Sequence, residues 1–186
     1  MKQIFDFLVG VILLLSLMII MLLIAIAIRL TSKGPSLYWS ERIGQNNKIF
    51  KMPKFRSMLK GTPTLATHLL DSPDSYLSPI GGFLRRSSLD ELPQLFSVLK
   101  GDMSFVGPRP ALYNQEDLIG LRTEKGVNKL LPGITGWAQV NGRDELSISD
   151  KVALDVEYMN HQSFWFDIKI LWMTVSKVVK KDGVSY

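Results

Sequence analysis

The sequence predicts an α+β protein: an N-terminal membrane-embedded helix, then a compact, mainly helical domain with a small β-hairpin and interfacial amphipathic helices. Three features of the 186-residue chain predict this. Residues 7–28 form a run of 22 residues without a formal charge. Two short apolar segments flank the turn-forming residues 44–48, and apolar residues recur at helical spacing in later segments. We therefore expect a membrane anchor over residues 1–30 and a globular domain over residues 31–186.

The anchor has the length of a membrane segment. At about 1.5 Å per residue, a helix of residues 7–28 would be about 33 Å long, which matches the hydrocarbon core of a bilayer. Arg29 closes the run and no small-x-small cleavage site follows it, so we do not expect a cleaved signal peptide. Length and flanking charge favour a straight spanning helix with the residues from 29 onward inside.

A basic segment follows the anchor. Against one acid, Glu41, it contains eight basic residues, a local excess of +7: Arg29, Lys33, Arg42, Lys48, Lys51, Lys54, Arg56 and Lys60. Such a flank favours the cytoplasmic side and attracts anionic headgroups or phosphates. We expect no nucleic-acid partner, because no nucleic-acid motif accompanies the cluster.

The first elements of the domain are two short strands. Residues 36–39 and 49–52 predict a hairpin, and Pro53 limits its second strand to an edge. Residues 61–82 predict a loop with at most one short helix, at 66–70, which would suit a mobile cover over a substrate.

Helical spacing returns at residues 83–86 and 90–99. Pro93 has no N–H group and fits only in the first turn of a helix, so the second helix is expected to begin near Asp90. Gly101 is expected to end it.

The second half of the chain predicts three further helices joined by loops. The elements are a rigid loop at 103–110, a helix at 114–131, a glycine-rich irregular stretch at 131–142, and helices at 148–160 and 164–179. The last helix carries Trp165 and Trp172 among lysines, which suits an interfacial position on a membrane; packing in the core is the other interpretation.

Composition narrows the chemistry. The chain has no cysteine, which excludes disulfide scaffolds, thiol redox enzymes and Cys-ligated zinc or iron–sulfur sites. Its two histidines are His68 and His161, and it has no Gly-x-Ser-x-Gly or Walker-type loop. The acidic residues are therefore the catalytic candidates.

Asp90 and Glu91 stand together at a predicted helix start. A helix N-terminus favours ionised carboxylates, and such a carboxylate can attack phosphorus. The structural alternative is a capping box formed by Ser88 and Glu91.

Two arginines lie in loops that the sequence predicts to be rigid. Arg109 stands between Pro108 and Pro110, and Arg143 follows Gly142. A fork of fixed donors is what a diphosphate needs. Together with the two acids and the anchor, these arginines indicate phosphoryl chemistry on a lipid.

Long stretches of this sequence resemble the bacterial sugar transferase family, the monotopic phosphoglycosyl transferases that start surface-glycan and glycoprotein assembly. The resemblance covers nearly the whole chain. Its longest stretches are GFLRRSSLDELPQL at 82–95, VLKGDMS at 98–104, VGPRP at 106–110 and PGITGWAQVNGR at 132–143, with GP at 34–35, ERIG at 41–44 and KFRSM at 54–58 upstream.

The resemblance implies an activity. Such an enzyme moves sugar-1-phosphate from a UDP-sugar to polyprenol (undecaprenyl) phosphate and releases UMP, using Mg²⁺ and a covalent aspartyl-phosphosugar intermediate. That role falls on Asp90 here. Glu91 would be a metal ligand or an acid–base partner. Both Asp90 and Glu91 are therefore candidate metal ligands. Related enzymes handle glucose, galactose and N-acetylated amino sugars, and the residues favour none of them.

The basic residues receive binding roles by the same resemblance. Arg85, Arg109 and Arg143 are expected to hold the diphosphate or to stabilise the charge that develops during the reaction. Lys54 and Arg56 are expected to bind substrate or, alternatively, lipid headgroups, and Gln139 is expected to touch the nucleotide or the sugar.

The family also implies a place in the cell. Its members lie at the bacterial inner membrane with the catalytic domain on the cytoplasmic face, in contact with lipid and with later glycosyltransferases of the pathway. The family's anchor is re-entrant and bends at a Ser-Pro pair, whereas the matching pair here is Ser16-Leu17 and no proline precedes Pro35. We expect a re-entrant or shallow anchor.

Two other functions remain open. One is a catalytically silent membrane scaffold that binds anionic lipid or a glycan-assembly partner through residues 29–60. The other is an anchored carrier of polyprenol phosphate.

Overall fold

A computed structural model describes residues 2–63, 73–142 and 146–180. It confirms the α+β class, with a long apolar helix before a helical domain that carries a small hairpin. The helices are α1 (Lys2–Thr31), α2 (Gly81–Arg86), α3 (Leu95–Lys100), α4 (Glu116–Glu124), α5 (Trp137–Val140), α6 (Ile148–His161) and α7 (Phe164–Lys180). The strands are β1 (Leu37–Ile43), β2 (Ile49–Phe55), β3 (Ser104–Val106) and β4 (Gly133–Thr135).

Helix α1 is the one helix among the described residues that is long and apolar enough to cross a membrane. One stripe of it packs on the domain over its whole length. Val9 and Leu13 pack on the core around Met103 and Val106, and Ile24 and Ile28 pack on a second core with Phe55. The opposite face of the helix is exposed, with large apolar side chains at Leu8, Ile12, Leu15, Ile19, Leu22, Ile26 and Leu30. This helix therefore has a protein side and an apolar outer side.

Polar contacts tie both ends of α1 to the same domain. Near its start, Lys2 pairs with Asp167, and the Ser104 hydroxyl donates to Asp6 Oδ2 at 2.8 Å. Past its end, Arg56 donates to the Ser32 and Lys33 carbonyl oxygens at 3.0 and 2.8 Å. Both ends of the uninterrupted helix Lys2–Thr31 therefore contact the same domain.

The predicted hairpin is present and longer than expected. In its antiparallel register Tyr38 faces Lys54, and Arg42 faces Phe50. Pro53 lies within β2, which is tolerated because a two-stranded sheet leaves an outer edge on each strand.

The predicted helix over residues 90–99 is divided. Leu89–Gln94 forms a 3₁₀ helix that contains Pro93, and α3 follows it. The expectation that Pro93 lies in the first turn of an α-helix is therefore wrong: α3 begins at Leu95, after the proline, whose ring disfavours the α-helical conformation of the residue before it. The capping box is also not formed: Ser88 has φ +55° and its side chain makes no cap bond. Gly101, with φ +84°, ends α3 as predicted.

The remaining elements follow the sequence with two exceptions. Helices α6 and α7 confirm the predictions for 148–160 and 164–179. Helix α4 is shorter than the predicted 114–131, because Gly126 adopts φ +78° and a short 3₁₀ helix follows. The stretch 131–142, predicted to be irregular, forms β4 and α5, and β4 pairs in parallel with β3.

The predicted cover over residues 61–82 lies only partly in view. The short helix predicted at 66–70, and His68 within it, lie outside the described residues. Of the rest, Pro73–Tyr76 is a 3₁₀ helix and α2 begins at Gly81.

The last helix has two faces. Trp165 and Trp172 are 78% and 73% exposed, whereas Ile170 is fully buried in the core. Lys169 lies over the rings of Trp137 and Phe166, at 5.1 and 5.9 Å from their centroids. This combination of exposed aromatics and lysines is typical of an interfacial helix, and its inner face supplies core packing as well.

Candidate active site

The two adjacent acids lie in the first turn of the 3₁₀ helix Leu89–Gln94. Asp90 is buried, with 7% of its surface exposed, and Glu91 is partly buried. Glu91 Oε1 accepts hydrogen bonds from Lys54 Nζ at 2.8 Å and from Arg109 Nη2 at 3.0 Å. The structure therefore brings the predicted acids together with two of the predicted cations.

The hairpin supplies Lys54 and one cation that was not predicted. Residues alternate between the two faces of a strand, so Arg42 on β1 shares the inner face with Lys54 on β2. Arg42 donates from Nη1 to the Pro110 carbonyl oxygen at 3.1 Å. It lies close enough to Glu91 and Arg109 for both charges to affect its pKa. Arg42 lies two residues after Ser40, on the same face of β1. It was not predicted because the predicted strand ended at residue 39.

Arg109 is held by a rigid segment between β3 and β4. Gly107, Gly133 and Gly136 approach one another so closely that a β-carbon on any of them would overlap neighbouring backbone. The Gly107 N–H donates to the Thr135 carbonyl at 2.9 Å, and the Gly133 N–H to the Pro108 carbonyl at 2.9 Å. These contacts fix the loop from which Arg109 reaches Glu91.

Burial and neighbouring charge shift the pKa values of the site. Burial is the main cause that raises the pKa of Asp90, and Glu91 adds to it, whereas Lys54, Arg85 and Arg109 act in the opposite direction. Burial likewise lowers the pKa of Lys54, against the attraction of Glu91. These two groups differ less in pKa than an isolated aspartate and lysine would.

The arginine on β1 is shifted as well. Burial, together with the charge of Arg109, lowers the pKa of Arg42 to about 10. Four cations thus surround two carboxylates at this site: Arg42, Lys54, Arg85 and Arg109. The excess of positive charge favours an anionic ligand with more than one charge.

The other predicted binding residues have different surroundings. Arg85 on α2 acts electrostatically on Asp90. Arg56 is directed to the end of α1, where its guanidinium also donates to the Ser32 hydroxyl at 2.6 Å. Gln139 on α5 donates to the Ile134 carbonyl at 2.9 Å. Arg143 lies outside the described residues. The structure therefore groups Arg85 with the acids and does not group Arg56 with them.

The basic segment 29–60 divides into two groups. Arg42, Lys54 and Arg56 are partly or fully buried and make contacts inside the domain. The other five, Arg29, Lys33, Lys48, Lys51 and Lys60, are exposed. Lys54 and Arg56, for which lipid headgroups were the alternative partners, thus belong to the group that contacts the domain.

Asp90 and Glu91 are also the candidate metal ligands. The part of the chain that the structure describes contains no cluster of three or more His, Cys, Asp or Glu side chains suited to a metal. Two carboxylates suffice for Mg²⁺ when substrate phosphate oxygens and water complete its shell, so this oxygen-only pair fits that ion.

Known proteins match this chain over nearly its whole length. The family profile described as "Bacterial sugar transferase" matches residues 1–181. The chain is 43% identical, over 96% of its length, to "Undecaprenyl-phosphate glucose phosphotransferase" of Komagataeibacter xylinus, of which it covers 36%. It is 39% identical, over 95% of its length, to "UDP-glucose:undecaprenyl-phosphate glucose-1-phosphate transferase" of Escherichia coli, of which it covers 39%.

A shorter relative is matched almost end to end. "Uncharacterized sugar transferase EpsL" of Bacillus subtilis is 40% identical over 99% of this chain and 90% of its own length. The chain thus spans somewhat more than a third of the two longer relatives and nearly all of the shorter one. Because the family profile and the shorter relative both cover almost the whole sequence, the chain belongs to the bacterial sugar transferase family.

Proposed function

We propose that this protein transfers sugar-1-phosphate from a UDP-sugar to polyprenol phosphate through a covalent intermediate on Asp90. The observation that carries the proposal is one buried carboxylate next to a second acid and four cations, in a chain whose apolar helix can enter a membrane. Support also comes from the relatives, because two of them are named for glucose phosphate transfer to undecaprenyl phosphate.

The reaction has two displacements. A carboxylate oxygen of Asp90 attacks the sugar-linked phosphorus of the donor, and the bond from that phosphorus to the bridging oxygen breaks, so UMP leaves. A phosphate oxygen of the polyprenol phosphate then attacks the same phosphorus. The bond to Asp90 breaks, which restores the carboxylate and yields polyprenol diphosphosugar. An acyl phosphate is a reactive mixed anhydride, which explains the use of a carboxylate as nucleophile.

The cations around Asp90 have two tasks in this proposal. They favour the ionised carboxylate that must attack, against the burial that raises its pKa. They also neutralise the charge that collects on the phosphate oxygens during each displacement. Arg85, Arg109 and Arg42 are proposed to hold the diphosphate, and Lys54 to hold Glu91 and one phosphate oxygen. Arg143 and Gln139 keep the roles predicted from the family.

Mg²⁺ is proposed as the cofactor, with Asp90 and Glu91 as its protein ligands. When bound, it would neutralise phosphate charge and help UMP to leave. Lys54 and Arg109 already hold Glu91 Oε1 in place, so these residues fix the direction of the second acid toward the ion and the donor.

The membrane placement follows from the lipid acceptor. We propose that α1 lies in the cytoplasmic leaflet of the bacterial inner membrane with its exposed apolar face toward the lipid chains. The domain then presents Asp90 near the headgroups, where a phosphate on a polyprenol is found. Later glycosyltransferases would use the product as their acceptor.

The test uses the donor without the acceptor. Purified full-length protein is incubated with Mg²⁺ and UDP-glucose, and UMP release and intact protein mass are measured. We expect one equivalent of UMP and one hexosyl phosphate on Asp90. Asp90→Asn should give neither, and Asp117→Asn, an exposed acid on α4, should behave as wild type. A fully active Asp90→Asn variant would falsify the mechanism.

The same assay separates the scaffold and carrier functions. A scaffold would bind lipid or a partner protein equally with and without Asp90 and would release no UMP from any UDP-sugar in a panel. A carrier would bind polyprenol phosphate and no nucleotide. Burial of Arg42, Lys54 and Arg56 inside the domain argues against a basic segment that serves lipid binding alone.

A further inference from the structure

An open groove lies between the C-terminal half of α1 and the start of β1. Its volume is about 650 Å³, within the range of small-molecule sites. Ala25, Ile26 and Leu30 line it on one side, and Leu37 and Trp39 line it on the other. The groove is therefore walled by apolar side chains from two elements that follow each other in the chain.

The groove opens toward the apolar outer face of α1. Ile26 and Leu30 belong to that face and are 46% and 82% exposed, and Trp39 across the groove is 55% exposed. Exposed apolar surface of this extent is unfavourable in water and is covered by lipid in a membrane-bound protein. A hydrocarbon chain can therefore pass from the bilayer into the groove without crossing a polar surface.

The groove lies on the opposite face of β1 from the cations of the candidate active site. Leu37 and Trp39 flank Tyr38, which pairs in register with Lys54. Tyr38 also lies close enough to Arg42 to affect the pKa of that guanidinium. Because side chains alternate along a strand, the groove residues lie on one face of β1 and Tyr38, with Arg42, lies on the other. Only the width of this edge strand separates the groove from the cations around Glu91.

Charge distinguishes the groove from a purely apolar slot. Arg29 lies at its rim and donates to the Gly34 carbonyl oxygen at 3.2 Å, and none of the described residues that line the groove is acidic. A long hydrocarbon chain that ends in a phosphate matches this pattern: apolar walls for the chain, and cations at the rim and beyond the strand for the phosphate.

We propose that this groove holds the first isoprene units of the polyprenol phosphate acceptor, with the chain passing the edge of β1 at Tyr38 so that its phosphate reaches Lys54 and Arg42. The proposal rests on the proposed function for the identity of the lipid. It adds a binding site for the acceptor's hydrocarbon chain, whereas the acceptor's phosphate takes the place that the donor's diphosphate leaves after the first displacement.

The first experiment does not depend on turnover. The full-length protein in nanodiscs is irradiated with a polyprenyl phosphate that carries a photoreactive group on an early isoprene unit, and the labelled peptides are identified. We expect labels on residues 25–30 and 37–39 that undecaprenyl phosphate competes away and phosphatidylglycerol does not. Labels confined to other segments, or equal competition by phosphatidylglycerol, would overturn the proposal; the second result would make the groove a site for bulk phospholipid.

The second experiment separates the acceptor from the donor. Trp39→Ala and Leu30→Gln should raise the KM for undecaprenyl phosphate about tenfold, the effect of losing one apolar contact, and should leave UMP release with donor alone unchanged. Trp172→Ala and Leu15→Gln are the matched controls, because these residues are also exposed, at 73% and 65%, and do not line the groove. Leu30 is 82% exposed, so its substitution tests binding rather than folding.

The two experiments fail in different ways. If wild type forms no intermediate with UDP-glucose or any other UDP-sugar, the proposed function fails, and the photolabel still decides what the groove binds. If wild type turns over and the groove variants keep the wild-type KM for undecaprenyl phosphate, the groove is not the acceptor site and the proposed function stands.

Discussion

Arg122 donates from Nη1 to the backbone carbonyl oxygen of Arg109 at 2.7 Å. Its other two donors, Nε and Nη2, bond Asp155 Oδ2 at 2.9 and 2.7 Å, and this carboxylate is 2% exposed. A buried ion pair between α4 and α6 thus holds the segment that directs Arg109 to Glu91. Because Arg122 is expected to touch no substrate, it is a positioning residue whose effect passes through Arg109.

Substituting Arg122 tests that relationship. Arg122→Lys keeps a charge beside Asp155 and loses the planar fork that reaches both partners, so kcat should fall about tenfold with little change in the donor KM. In the Arg109→Ala background the same substitution should cost almost nothing more. Lys125→Gln, at the exposed end of the same helix, is the control. If the two substitutions lower kcat additively in the double variant, Arg122 does not act through Arg109.

The buried pair also makes a stability prediction. Asp155→Ala leaves the Arg122 charge buried without its carboxylate, which costs roughly 3–5 kcal/mol of folding free energy. Thermal or urea unfolding of the purified protein measures this loss. A change below about 1 kcal/mol would mean that water reaches the pair.

The pH dependence of the reaction follows from the shifted groups. Activity requires ionised Asp90, whose pKa is raised above 3.8, so the rate should rise with pH through a limb above that value. It should fall again as Lys54 loses its proton, at a pKa lowered from 10.5. Lys54→Arg should move the basic limb to higher pH, because an arginine keeps its charge where a lysine with a lowered pKa loses it. An unmoved basic limb would assign it to another group.

Burial of Asp90 has a further consequence for stability. A carboxyl whose pKa is higher in the folded than in the unfolded protein binds more protons when folded, so stability falls as pH rises between the two pKa values. Asp90→Asn removes this cost and should raise the unfolding temperature at pH 7 while it abolishes activity. The gain should vanish below pH 3.8, where both forms are neutral at this position. Equal melting temperatures at pH 7 would contradict the raised pKa.

Substituting Arg56 tests whether this residue stabilises the fold or binds substrate. Its donors satisfy carbonyl groups past the end of α1, and each bond from a charged donor contributes about 1.5–3 kcal/mol. Arg56→Met should therefore lower stability by about that amount and leave kcat within about twofold at a temperature where the variant is folded. Lys54→Met is the contrast, because it should abolish UMP release. A rise in donor KM for Arg56→Met, in the folded variant, would restore its predicted role in binding.

These cases show how far the sequence carries. The apolar run, the hairpin and helices α6 and α7 follow from local periodicity, and the acid pair with Lys54 and Arg109 is visible as residue types and family resemblance. The contacts of Arg56 and Arg122 are not visible in this way, because backbone carbonyl groups carry no sequence signal. Arg42 could be placed at the site only when β1 was known to extend to Ile43. Residue propensity misplaces strand ends when cross-strand packing decides them.

Gly133 and Gly136 were predicted as part of an irregular stretch and Gly107 as part of a rigid loop, and their role is a close approach of these two segments. A β-carbon at Gly136 would overlap the Gly107 carbonyl oxygen, so Gly136→Ala must push β4 from the segment that carries Arg109. We expect a stability loss of about 1–3 kcal/mol and a fall in kcat that exceeds what unfolding explains. Gly120→Ala is the matched control: no atom lies within 4 Å of its added carbon, and in the exposed α4 it should stabilise by about 0.5–1 kcal/mol. Wild-type kcat in a folded Gly136→Ala variant would show that Arg109 does not need this close packing.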